Sequence, residues 1–330
     1  MIENRDIKHP FEQPIIIENQ SVFPGENSLV RINVGRLPSD TKIDIVAHIF
    51  RSKNPGPCVL LLGGVHGDEI NGIEIVRRTI EADLFNNLDR GSVIVIPLLN
   101  VFGFINFSRE VPDGKDVNRS FPGTRRGSLA SRVANTLTKK ILPFVDFAMD
   151  FHTGGASRFN YPQIRYSKVD KAAEELALIF GTKFIIQKAV IPKSFRKTAR
   201  IHKVPTLIFE GGESVRLDGH AITVGVNGLK RVFAHLDMIH HSSENNGTKS
   251  IIIKKTSWLR APYSGIFIWS KKSGNYIQKG EPLGVLKDAY GNKSITVSAT
   301  KNGYIIGHSN ASVVNQGDAL FNIGYESVQI

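Results

Sequence analysis

Two histidines and a glutamate stand where a metal ion could use them. Gly63-Gly64-Val65-His66-Gly67-Asp68-Glu69 sets a histidine and a carboxylate three residues apart, directly after the apolar run Val59-Leu60-Leu61-Leu62. Asp150-Phe151-His152-Thr153-Gly154-Gly155 closes a second apolar run in the same way. His66, Glu69 and His152 make a donor set of two imidazoles and one carboxylate, which leaves a tetrahedral zinc one open position for water. Such an ion brings the pKa of its water toward about 7, but hydrolysis also needs a group that carries the proton. Glu210, in Thr206-Leu207-Ile208-Phe209-Glu210-Gly211-Gly212-Glu213, is the candidate; Glu213 is a neighbour that could serve instead. Asp150 could orient a ligand histidine from behind, and a strand-end or capping aspartate explains it equally well.

A third block, Asp113-Gly114-Lys115-Asp116-Val117-Asn118-Arg119-Ser120-Phe121-Pro122-Gly123, lies between the two metal motifs. Its Asn118-Arg119 pair suits a carboxylate, because a guanidinium offers a planar two-pronged fork. Upstream, Arg109 is a second cation, placed to stabilise the oxyanion of a tetrahedral intermediate.

These residues need elements that bring them together. Ile73, Val76 and Ile80 have helical spacing, Ser92–Ile96 is a β-branched run, and Leu129, Val133, Leu137 and Ile141 form a helical stripe. Val145–Phe151 reads as a central strand, Ala172–Phe180 as a helix, Lys183–Gln187 and Thr206–Phe209 as strands, and His220–Ile239 as a long helix. Strands alternating with helices predict an α/β fold, with a mixed, mostly parallel sheet covered by helices on both faces. Ligands in such sheets sit beyond the strand ends, where His66 and His152 fall.

The polar stretch His241–Gly247 reads as a boundary between a domain of residues 1–240 and a C-terminal β domain of residues 248–330, with residues 1–45 expected to pack on the latter. Beyond the boundary a unit repeats: Gly265 and Gly280 in the first copy answer to Gly303 and Gly317 in the second. A repeated β unit predicts a small quasi-symmetric barrel or sandwich. This part resembles the biotinyl/lipoyl-carrier fold, with Lys293 near the place of the modified lysine but without its flanking turn, so the alternatives are a carrier lysine and a structural or oligomerising module.

The chain has 330 residues, 41% of them hydrophobic, with a formal net charge of +12 and a single cysteine, Cys58. That length suits two domains, and one cysteine makes no intrachain disulfide. The basic residues are scattered in short pairs such as Arg77-Arg78 and Lys139-Lys140, with no aromatic-interleaved motif, so nucleic acid is not an expected partner. The excess charge reads as a solvated surface that could also steer an anionic substrate. Met1–Asp6 is too polar to begin a signal peptide, and no run approaches the roughly 20 apolar residues that span a bilayer. The reading is a soluble, cytoplasmic protein without a membrane partner.

The four blocks G-G-V-H-G-D-E, D-V-N-R-S-F-P-G, D-F-H-T-G-G and F-E-G-G occur in one order between Pro57 and Gly212. In these the chain resembles the succinylglutamate desuccinylase/aspartoacylase family, a branch of the zinc carboxypeptidase superfamily. The resemblance implies a zinc carboxypeptidase-like domain with one Zn2+ per chain, held by His66, Glu69 and His152. It implies Glu210 as general acid/base, Arg109 polarising the scissile carbonyl, and Asn118 and Arg119 gripping a substrate carboxylate. Arg158 and Arg165, in a stretch the family tends to carry after the third ligand, would line the pocket. The expected activity is hydrolysis of the amide bond of a small N-acyl amino acid, an acidic one being favoured by the arginines. The alternative is a carboxypeptidase that trims peptides, and a third reading is a binding module on an inactive scaffold. A homo-oligomer is left open.

Overall fold

The computed structural model describes residues 8–240 and 249–329. The boundary stretch His241–Gly247 and the polar start Met1–Asp6 lie outside the described residues. In chain order the strands are β1 (Ile15–Ile17), β2 (Gln20–Val22), β3 (Asn27–Arg36), β4 (Lys42–Arg51), β5 (Cys58–Gly63), β6 (Ser92–Ile96), β7 (Phe147–Gly154), β8 (Arg158–Tyr166), β9 (Phe184–Gln187) and β10 (Thr206–Glu213). The C-terminal part adds β11 (Ile251–Arg260), β12 (Gly265–Trp269), β13 (Tyr276–Ile277), β14 (Pro282–Lys287), β15 (Ser294–Ser298), β16 (Gly303–Ser309), β17 (Val313–Val314) and β18 (Ala319–Gln329). The helices are α1 (Ile70–Glu81), α2 (Val101–Ile105), α3 (Leu129–Thr136), α4 (Lys171–Phe180), α5 (Phe195–Ile201) and α6 (Gly219–His235).

β5, β6 and β7 are buried along their whole length, as their unbroken apolar runs predict for strands covered on both faces. Successive side chains alternate between two cores. Leu60, Leu62, Ile94 and Ile96 join α3 on one face, whereas Val59, Leu61, Val93 and Val95 join α1, α4 and α6 on the other. Gly72 lets α1 lie against β7: a Cβ there would stand 2.2 Å from the Phe151 carbonyl oxygen. The helix that follows Glu69 is thereby pinned to the strand that carries His152.

The sheet is mixed rather than mostly parallel. Its order is β13-β16-β18-β11-β9-β8-β10-β7-β5-β6-β4-β3, with two parallel blocks, β6-β5-β7-β10 and β8-β9-β11, that run in opposite directions. β8 is antiparallel to β10, because residues 155–157 between β7 and β8 are too few for a crossover helix. β9 and β11 then run with β8. β3 and β4 build the edge opposite the C-terminal strands, and β1 and β2 form a separate two-stranded sheet whose Ile15, Ile17 and Val22 join the core beneath that edge, which corrects the expectation that residues 1–45 pack on the C-terminal β part. The physical reason is Arg51 at the end of β4. Its buried guanidinium donates to the carbonyls of Phe11, Gln13 and Val22 and anchors the N-terminal segment there.

The C-terminal strands form two layers around a core of their own that includes Phe267, Leu283, Ile305 and Phe321. One layer continues the main sheet, since the apolar start of β11 zips onto β9; the other is the four-stranded sheet β15-β14-β12-β17. The repeat seen in the sequence is a repeat of structure. β12 pairs with β17 of the second copy, and β13 of the first pairs with β16. Both copies turn alike: Gln278 N donates to Glu281 Oε2 at 3.0 Å, and Asn315 N donates to Asp318 Oδ2 at 2.7 Å. Lys293 does not stand free on its hairpin, because its Nζ lies 3.7 Å from the centre of the Tyr263 ring. Among the described residues no helix is long and apolar enough to cross a membrane.

His308 of β16 gives this unit a pH dependence. It is wedged between Phe159 and Trp269, and its Nδ1 lies 2.6 Å from Ser273 Oγ. Burial pushes its pKa down to about 4, against a smaller opposing pull from Asn310. The unfolded chain therefore takes up a proton near pH 6.5 that the folded chain refuses, so stability falls as pH drops from 6.5 toward 4. Urea midpoints of the wild type should show a loss of up to about 3 kcal/mol across that window, which His308→Phe abolishes. Equal slopes for the two proteins would count against the buried neutral ring.

Candidate metal centre and substrate cleft

The loop from Gly64 to Glu69 leaves the end of β5 and turns into α1, whose N-cap is Glu69. A Cβ at Gly67 would stand 2.0 Å from the backbone of Gly103 and Phe104, so only glycine lets this loop seat against α2. The end of β7 presents His152 from the neighbouring strand. His66, Glu69 and His152 are all buried, and one possible ligand atom from each lies within 4.8 Å of the others. The Glu69 carboxylate joins the two rings: Oε1 meets His66 Nδ1 and Oε2 meets His152 Nδ1, both at 2.7 Å. Behind the rings, Asp150 Oδ2 accepts from His152 Nε2 at 2.8 Å, and Asp116 Oδ1 lies 3.3 Å from His66 Nε2 without hydrogen-bond alignment.

The electrostatics fit a cation at this point. Burial alone would lower the pKa of both imidazoles. The facing carboxylates reverse this, with Asp150 and Glu69 lifting His152 well above its ordinary value and Glu69 and Asp116 lifting His66. Glu69 is held far below the usual carboxylate range by the same rings, against its burial. Three acids thus surround two imidazoles in a closed space, and the protons they attract stand where a dication would replace them. Two Nδ1 atoms and a carboxylate facing one another, with a carboxylate behind one ring, make a donor set that could hold a metal ion.

The three candidate ligands, Glu210, Arg109, Asn118, Arg119, Arg158 and Arg165 all line one cleft of about 800 Å³. Glu210, on β10, faces the metal motif. Its Oε1 accepts from Arg165 Nη1 and its Oε2 from Asn160 Nδ2, both at 2.8 Å. Glu213 lies outside the lining and is bonded to Asn310 instead. Arg109 donates to Asp116 from Nε and Nη2 at 3.1 and 2.9 Å, and its Nη1 lies 3.3 Å from Glu69 Oε1. Asn118 accepts from Phe195 N through Oδ1 at 2.8 Å, which leaves its amide N–H groups for the cleft. Arg119 and Arg158 are exposed at the rim, bonded to the Asn118 and Gly155 carbonyls. Arg165, expected to bind substrate, is ion-paired with Glu210.

Four groups were not singled out by the sequence reading. Asp116 bonds Arg109 and the Asn118 backbone and backs His66; its position directly before Val117-Asn118-Arg119 was the available signal. Asn160 lies in the stretch from Arg158 to Arg165, of which only the two arginines stood out. Arg196 of α5 and Trp258 of β11 also line the cleft, and nothing local in the sequence marks either.

Residues 55–236, more than half of the chain, match the succinylglutamate desuccinylase/aspartoacylase catalytic domain, and the chain belongs to that family. It is 24% identical over 285 residues to the N-alpha-acetyl-L-2,4-diaminobutyric acid deacetylase of Halomonas elongata, a match spanning 81% of this chain and 82% of that protein. It superposes with a TM-score of 0.80 on a succinylglutamate desuccinylase/aspartoacylase from Rhodobacter sphaeroides, at 25% identity over 91% of this chain and 95% of that one. The product-bound ectoine utilization protein EutE of Ruegeria pomeroyi shares the fold, with a TM-score of 0.80 at 20% identity, covering 91% and 94% of the two chains.

Proposed function

We propose that this chain is a zinc-dependent amidohydrolase that removes the acyl group from a small N-acyl amino acid. The observation that carries this reading is the convergence of His66, Glu69 and His152 in the same cleft as Glu210 and Asn118. The name of the Halomonas relative, a deacetylase of an acetylated amino acid, agrees with it. His66 and His152 through Nδ1, with Glu69, would hold the zinc. When bound, zinc lowers the pKa of water toward about 7 and polarises a carbonyl.

The rest of the reaction falls to the chain's own side chains. Asn118 and Arg119 take the substrate carboxylate and fix the amide within reach of Glu210. Arg109 Nη1, already beside the metal ligands, donates to the carbonyl oxygen as charge develops there. Glu210 removes a proton from the attacking water and later delivers it to the amide nitrogen. The C–N bond then breaks to give a carboxylic acid and a free amine. Asn160 and Arg165 fix the direction of the Glu210 carboxylate before substrate arrives.

The cleft favours a small substrate over a peptide, because β11 walls it with Trp258 and the volume is that of a small-molecule site. We retain the division into residues 1–240 and 248–330 as part of this proposal, with the C-terminal part narrowing the cleft. The test is metal content together with cleavage of N-acyl amino acids, dipeptides and tripeptides, before and after chelation. About one zinc per chain and chelator-sensitive cleavage of the N-acyl amino acids alone is expected. Faster cleavage of tripeptides would replace this reading by the carboxypeptidase one, and failure to take up zinc would overturn both.

A further inference from the structure

β9 covers β8 only along Gln163–Tyr166. Ahead of that stretch β16, from the C-terminal strands, takes its place and pairs Gly307 with Asn160, His308 with Phe159 and Ser309 with Arg158. Asn160 is buried, and its Nδ2 donates to Glu210 Oε2 at 2.8 Å. On its other side Asn160 stands opposite Gly212 of β10. The contact at Gly307 leaves no room for a side chain. A Cβ there would stand 2.8 Å from the Phe159 carbonyl oxygen and 2.9 Å from Asn160 Oδ1. Glycine inside a strand often marks a close backbone approach, and here the approach is to the amide that guides Glu210.

A second tie lies three residues on. Asn310 N donates to the Ser157 carbonyl at 2.6 Å, its Nδ2 donates to Glu213 Oε2, and its Oδ1 accepts from Trp269 Nε1 at 3.0 Å. Glu213 ends β10, and Ser157 directly precedes β8. Between the two ties His308 packs against Phe159 and Trp269. β10 is irregular between Glu210 and Glu213 in its pairing with β7 and between Glu210 and Gly212 in its pairing with β8. Its regular ladders therefore stop at Glu210, and Asn310 fixes the end beyond. A group that transfers a proton must be held to about 10–20° of its productive direction, by neighbours that need not touch the substrate.

We propose that Gly307 and Asn310 are positioning residues for the proton transfer: the C-terminal strands hold Asn160 and the end of β10, and through them the direction of Glu210. The inference rests on Glu210 as the proton carrier of the deacylase reading. It gives the C-terminal part a share in the chemistry besides narrowing the cleft.

Gly307→Ala in the full, zinc-loaded chain is the test. It should lower kcat by about tenfold, the loss expected of Asn160→Ala, with KM and zinc content near wild type. Adding Gly307→Ala to Asn160→Ala should cost less than about twofold more, because the methyl group then has no amide to displace. The side-chain amide of Asn160, assigned in nitrogen-15 spectra by its loss in Asn160→Ala, should exchange with solvent at least about tenfold faster in Gly307→Ala. Unchanged exchange in the folded variant, or fully additive losses in the double variant, would overturn the positioning. Faster exchange with unchanged kcat in both Gly307→Ala and Asn160→Ala would support the hold on Asn160 and overturn Glu210 as the proton carrier. Asn310→Ala adds no atoms, frees the end of β10 and serves if Gly307→Ala does not fold. A loss of about threefold in kcat is expected of it, and an unchanged kcat there would remove Asn310 and the C-terminal hold on β10 from the proposal's support and overturn it.

Discussion

Glu210→Gln lowers kcat on an N-acyl amino acid by ~10²–10⁴-fold while zinc content and KM stay close to wild type. The expectation comes from what Glu210 touches. Its two oxygens accept from Asn160 and Arg165 at 2.8 Å, and His66, Glu69 and His152 are bonded among themselves and to Asp150 rather than to Glu210. Glutamine keeps the shape and one acceptor oxygen but cannot take a proton. The variant should therefore hold metal and substrate and fail at the transfer. Asn160→Ala leaves the carboxylate in place without one of its two guides, and a smaller loss of about tenfold in kcat is expected from the poorer alignment. Kinetics with metal analysis of the same preparations decide the matter. Full activity in Glu210→Gln would remove Glu210 from the proton transfer, and loss of zinc in that variant would make it a structural support of the metal instead.

The metal motifs were legible in the sequence because each is local. His66 and Glu69 lie within one strand-to-helix turn, and His152 ends an apolar run that could only be a central strand. What joined them was the unbroken apolar character of β5 and β7, which predicts parallel neighbours buried on both faces. The support of Glu210 was not legible. It depends on β8 running antiparallel to β10 with Gln163 opposite Glu210, a register that no spacing along either strand reveals. Arg165 read as a substrate residue for this reason: its sequence neighbourhood says arginine near the site, and only the pairing says that it faces a carboxylate. Arg196 and Trp258 come from a short helix and from the C-terminal strands, whose approach to the cleft depends on β11 joining β9. The same pairing explains why the C-terminal repeat was foreseen but not its continuity with the main sheet. A repeat shows in spacing, whereas a strand's partner in another region does not.

Metal affinity should fall in a fixed order, His152→Ala most, Asp150→Asn next and Asp116→Asn least. His152→Ala removes a ligand outright, and the purified protein should contain essentially no zinc. Asp150→Asn removes none, yet a loss of roughly 10–100-fold in affinity is expected, as for other residues that orient a ligand histidine. Asp150 is fully buried, its Oδ2 accepts from His152 Nε2 at 2.8 Å, and its Oδ1 has no hydrogen-bond partner. Its contribution is to fix the ring so that Nδ1 faces inward with a free lone pair and to raise that nitrogen's basicity. An asparagine can still accept through its carbonyl but supplies no charge, and if its amide turns to Nε2 it selects the wrong tautomer. Asp116 stands 3.3 Å from His66 Nε2 and is bonded chiefly to Arg109, so Asp116→Asn should cost less zinc and disturb Arg109 more. Competition with a chromophoric chelator gives the three affinities directly. Equal losses in Asp150→Asn and Asp116→Asn would mean that the site responds to its net charge rather than to the orientation of each ring, because the two substitutions remove the same charge and differ in how closely they hold a histidine.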